Sequence, residues 1–117
     1  VTAMEGIMSK YPEGVAIICS NNDDMALAAA RTAKDNPNYA KTIFLGFDGQ
    51  KSAVEAVLNG ELTMTAAQNN FDIGYKAVET IVKILNGEEY GDVDTGTEII
   101  TKDNAQARLD NFAEWMK

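Results

Sequence analysis

The sequence predicts an α/β domain, an open parallel sheet with helices on both faces. Three observations carry this. Short apolar runs containing β-branched residues recur at 15–20, 42–47 and 62–67. Between them lie segments whose apolar residues repeat at helical spacing. Gly, Pro, Asn or Asp marks each junction, where regular hydrogen bonding must stop. A chain of 117 residues has room for one domain with a real core.

Taken in order, residues 2–10 (TAMEGIMSK) read as a helix, broken by Tyr11-Pro12-Glu13-Gly14. VAIICS (15–20) is a continuous apolar run and reads as a strand buried on both faces. Residues 24–34 (DMALAAARTAK) are strong helix formers, closed by Asn36-Pro37-Asn38. TIFLGF (42–47) is a second strand ending at Asp48-Gly49, and residues 50–59 form a helix with Gly60 as its stop. LTMTAA (62–67) is a third strand, ended by Gln68-Asn69-Asn70. Residues 71–86 form the longest amphipathic helix, with Phe71, Gly74, Ala77, Val78, Ile81, Val82 and Leu85 on one stripe. TEIIT (97–101) is a short last strand. Asp103 or Asn104 caps a final helix running through Phe112, Trp115 and Met116.

Composition removes several functions. Ten basic residues against eighteen acidic ones leave a net charge of −8. The basic residues are scattered, which argues against nucleic acid or an anionic membrane surface as partner. Histidine is absent, and with it the commonest general base and zinc ligand. The single cysteine, Cys19, cannot form an internal disulfide and is expected as a buried small hydrophobe. No apolar stretch approaches the ~20 residues that span a bilayer. The helical pattern starts at once after Val1, so the chain is expected to begin in mid-fold.

In a parallel sheet the C-terminal strand ends share one rim, where ligands of such folds bind. The strand at 15–20 runs into Asn21-Asn22-Asp23, that at 42–47 into Asp48, and that at 62–67 into Gln68-Asn69. An amide both donates and accepts, and a carboxylate accepts two hydrogen bonds at once, which suits sugar hydroxyls. A phosphate would call for Gly-rich amides or Arg, and none stands at these ends. Asp23 and Asp48 could form a glycosidase pair, although nothing in the sequence points to a raised pKa. Calcium needs about six oxygens, and Asn21 to Asp24 lack the alternating spacing of a calcium loop. Plain helix capping by Asp23 or Asp24 and turn chemistry at Asp48-Gly49 compete with any ligand role. Neither a metal nor a cofactor is implied.

The segments SNNDDMALAAARTAK (20–34), TIFLGFDG (42–49), AVLNGELTMTAAQN (56–69) and FDIGYKAVETIVKILNGE (71–88) occur in that order, followed by TEIITKDNAQ (97–106). Together they resemble the type I periplasmic sugar-binding proteins of bacterial ABC transporters, in the ribose- and galactose-binding group. The resemblance implies two α/β lobes joined by a hinge, with a monosaccharide held between them. It implies that Asn22, Asp48 and Gln68 hydrogen-bond the sugar, while Asp23 starts the helix. ABC transporter membrane subunits or a chemoreceptor would be the partners, and the location periplasmic or extracellular, as a free or lipid-anchored protein.

Only the C-terminal portion of that family is matched. Residues 1–117 are therefore expected to form a partial C-terminal lobe. The strand at 15–20 would be an open edge, and the helix at 71–86 would lack the other lobe that covers it. Such a fragment is expected to pair with a second copy or with the missing portion. Three hydrogen bonds worth a net ~1 kcal/mol each do not offset the several kcal/mol lost on association, so tight binding by the fragment alone is not expected. The alternative is the effector-binding domain of a lac-repressor-type transcription regulator. Such regulators usually carry Asp-Asp after the Gly-Phe and Arg-Gln-Pro after the third strand, where this chain has Asp48-Gly49 and Gln68-Asn69.

Overall fold

A computed structural model of the chain describes residues 1–115. Its elements are α1 (Thr2–Lys10), β1 (Ile17–Cys19), α2 (Asp23–Ala33), a 3-10 turn at Pro37–Tyr39, β2 (Ile43–Asp48), α3 (Lys51–Asn59), β3 (Met64–Gln68), α4 (Asn70–Leu85), β4 (Thr97–Ile100) and α5 (Ala105–Trp115). The expected extension of the last helix to Met116 lies outside the described residues. Gly60 ends α3 as its position suggested. It adopts φ 82°, open to glycine without strain, and its N–H bonds back to the Ala56 and Val57 carbonyls.

The four strands lie in the order β1-β2-β3-β4. β1, β2 and β3 are parallel, with Cys19 opposite Leu45 and Asp48 opposite Ala67. The last strand departs from the all-parallel expectation: β4 runs antiparallel to β3, with Thr97 opposite Gln68. A parallel return needs a helix that lies back along the sheet. α4 has no buried residue, so it does not make that return, and the chain re-enters beside the end of β3 that it left.

Strand pleating puts alternate side chains on opposite faces, and here the two faces differ. Phe44, Gly46, Thr65, Ala67 and Ile100 are buried under helices, and Phe44, Ala67 and Ile100 form one cluster with Met4, Ala26, Leu27, Val54, Val57 and Ala105. The other face is open: Ile17, Ile43, Phe47 and Ile99 are all exposed. The open α/β sheet is as expected, but the helices that pack in this chain cover one face. β1 is shorter than the apolar run at 15–20, and Cys19, on an uncovered edge strand, is exposed instead of buried. A continuous apolar run reports a strand meant to be buried twice; it cannot report whether the second cover lies in the same chain. α4 repeats the lesson, with Val78, Ile81, Val82 and Leu85 all exposed.

The molecule is elongated, 59 × 28 × 18 Å. Its radius of gyration, 17.9 Å, exceeds the roughly 13 Å of a compact chain of this length.

Candidate functional site

The three parallel strands deliver their polar ends to one rim. Asp48 is the last residue of β2 and Gln68 the last of β3. Their side chains meet, the Gln68 amide Nε2 donating to Asp48 Oδ1 at 2.8 Å. Both are half-buried, so each keeps a surface for another partner. Asp48 adopts φ 110°, the only described non-glycine residue with positive φ. Such a conformation costs a side-chain-bearing residue about 1–3 kcal/mol and persists where the surroundings impose it.

Asp23 is the chief element of those surroundings. It is wholly buried, and its two oxygens accept from Thr65 Oγ1 at 2.6 Å and from the Gln50 N–H at 2.7 Å. Thr65 Oγ1 in turn accepts from the Gly49 N–H at 3.3 Å. The carboxylate thus ties the start of α2 to the Asp48-Gly49-Gln50 turn and to β3. Burial pushes its pKa up from the ordinary 3.8, the bonds from Thr65 and Gln50 opposing the shift and the Asp48 charge adding to it. Two close approaches make this possible. A Cβ on Gly46 would fall 2.2 Å from Asp23 Oδ1, and one on Gly49 would fall 2.2 Å from the Ala67 Cβ.

The roles expected at 21–24 are therefore redistributed. Asn22, not Asp23, is the N-cap of α2: its Oδ1 accepts from the Met25 N–H at 2.9 Å. Its side-chain amide nitrogen stays available at the rim. Asp23, the expected cap, is the buried brace. A raised Asp23 pKa also departs from the sequence reading, yet both its oxygens are engaged inside the protein, which leaves no acid for a glycosidase pair.

One residue of the rim was not foreseen. Arg108 of α5 is buried and donates from Nη2 to the Gln68 carbonyl at 2.7 Å. In the sequence it reads as one more solvated helix charge. The available signal was its spacing, since Arg108, Phe112 and Trp115 fall at i, i+4 and i+7 on one helical face.

The rim is open. A groove of about 470 Å³ between α1, β1 and α2 is bordered by Asn22, and a hollow of about 410 Å³ at the opposite end of the sheet is lined by Arg31, Lys34 and Glu61. Neither includes Asp48 or Gln68. Among the described residues, no group of three His, Cys, Asp or Glu could hold a metal ion, and no helix is long and apolar enough to cross a membrane.

The fold is that of a known class of protein. Residues 1–89 match the periplasmic binding protein domain, and the chain belongs to that family. It is similar to the ribose import binding protein RbsB of Escherichia coli, 36% identical over 89 residues, which are 76% of this chain and 29% of that one. The D-allose-binding periplasmic protein of Escherichia coli is 33% identical over 76 residues, 65% of this chain and 24% of that protein. Among solved structures, an ABC transporter solute binding protein from Bacillus halodurans with bound myo-inositol superimposes with a TM-score of 0.85 at 28% identity, covering 93% of this chain and 38% of that one. The matched segments thus span less than a third of the length of these two curated relatives.

Proposed function

We propose that this chain is part of the C-terminal lobe of a solute-binding protein for a monosaccharide, and that Asn22, Asp48 and Gln68 supply its share of the sugar contacts. The observation that carries this is the joining of Asp48 to Gln68 at the C-terminal rim of the parallel strands, on a strained residue held from beneath by Asp23. A carboxylate already oriented by an amide accepts two hydroxyl donors without further ordering cost. The amides of Gln68 and Asn22 add donors beside it. The function is binding without catalysis, in line with relatives named for ribose and allose binding. The open sheet face, the exposed stripe of α4 and the open rim support a partial lobe, completed by the rest of a longer protein or by a second copy. ABC transporter membrane subunits would receive the sugar in the periplasm or at the cell exterior. The relatives named above lend no support to the transcription-regulator reading.

The test is the longer protein carrying Asp48→Ala. Hydrogen bonds to a charged group contribute about 1.5–3 kcal/mol, so sugar affinity should fall between about tenfold and a hundredfold. Unchanged affinity would remove Asp48 from the site.

A further inference from the structure

Arg108 is 6% exposed, although arginine is seldom buried unless its charge is satisfied. Its surroundings come from three separate parts of the chain. Nη2 donates to the carbonyl of Gln68, the last residue of β3, at 2.7 Å. Nη1 stands 4.0 Å from Glu98 Oε2 on β4, the strand paired with that end of β3. The guanidinium plane lies 5.3 Å from the Phe112 ring centroid and 4.9 Å from that of Trp115. Trp115 in turn stacks on Phe71, in the first turn of α4, at 6.2 Å. Arg108 therefore sits where the chain leaves the sheet for α4 and where it returns.

We propose that Arg108 is a positioning residue for the candidate sugar site. Its bond to the Gln68 carbonyl fixes the end of β3, so that the Gln68 amide is presented to Asp48. A charge-assisted bond to a carbonyl is about twice as strong as a neutral one; it satisfies Nη2, while the buried Nε has no hydrogen-bond partner among the described residues. The backbone of Gln68 already stands opposite Thr97 of β4, and the Arg108 bond adds a side-chain anchor at the point where the chain turns into α4, which is not anchored by burial. Ordering Gln68 before ligand arrives reduces the entropy lost on binding. A purely structural Arg108 would need only its stacking on Phe112 and Trp115, and the bond to Gln68 would then be incidental.

The value of that positioning to a sugar rests on the function proposed above, but its test uses no sugar, so either idea can fail alone. In the 117-residue chain, exchange with water of the Gln68 side-chain amide protons is followed by NMR in wild type, Arg108→Met and Arg108→Lys. Methionine keeps the apolar stem and cannot donate. Exchange should quicken about tenfold, corresponding to ~1.4 kcal/mol, while the backbone amides of Ile18 and Phe44 stay as in wild type. Lysine keeps a donor and should restore the wild-type rate, although it loses the planar stack. Wild-type exchange in Arg108→Met, or failure of lysine to restore it in a folded chain, overturns the proposal. Should Arg108→Met not fold, the guanidinium protons of wild-type Arg108 decide: slowed exchange with water supports the bond to the Gln68 carbonyl, and exchange as fast as in a free arginine overturns it.

Discussion

Asn22, Asp23, Asp48 and Gln68 show how differently similar side chains act once placed. Asp23 and Asp24 are chemically equal neighbours, yet one is wholly buried and the other exposed. Asp23→Ala leaves the Thr65 hydroxyl and the Gln50 N–H without their acceptor. It should cost about 2–4 kcal/mol in denaturant unfolding. The pH dependence has a definite sign. Because burial raises the folded-state pKa, the folded protein binds the Asp23 proton more tightly than the unfolded chain. The resulting stability is complete below the ordinary value of 3.8 and is lost as pH rises through the raised one. Unfolding of wild type compared with Asp23→Asn, repeated from acid to neutral pH, should therefore give a difference that shifts against wild type as pH rises. Gly49 is a second sensitive position. With φ 70° and its would-be Cβ 2.2 Å from the Ala67 Cβ, Gly49→Ala should lose at least about 2 kcal/mol by the same measurement.

At the scale of elements, α4 and β1 carry apolar side chains that no described element covers. Val78, Ile81, Val82 and Leu85 form an apolar stripe at half or more exposure on a helix with no buried residue. Replacing Ile81 and Leu85 together by glutamate should change unfolding free energy by less than about 0.5 kcal/mol, as at ordinary surface sites. The same change should lower any self-association seen in sedimentation, because it breaks the exposed patch. Much of this architecture was legible beforehand. Strand and helix periods differ, Gly60 closes α3 where a left-handed residue is needed, and polar residues end each parallel strand. The direction of β4 was not legible, since it depends on where α4 stands and not on the residues of TEIIT. Coverage of one sheet face was not legible either, because Ile17, Ile43 and Phe47 read the same whether their cover is near or absent. Asp23 and Arg108 escaped for a third reason: each gains its role from partners 27 to 42 residues away in sequence.

For the whole molecule, these features fit the half of a binding cleft proposed above. Residues Asp48 and Gln68 are ordered by the fold behind them and face an open rim. The α4 stripe and the open sheet face leave apolar side chains exposed. A few hydrogen bonds to a hydrated sugar on such a surface do not offset the freedom lost on association. Enclosure by an opposing lobe strengthens those bonds by excluding water and adds buried area. Affinity is therefore expected to belong to the assembled cleft, and loss of one rim carboxylate to be felt only there. The direct measurement is titration calorimetry with ribose, allose and myo-inositol, on the 117-residue chain and on the longer protein we propose it belongs to. The account predicts no binding tighter than about millimolar for the chain, and binding of one sugar by the longer protein that Asp48→Ala weakens by about tenfold or more. Tight sugar binding by the chain alone, or binding by the longer protein that ignores Asp48, would contradict it.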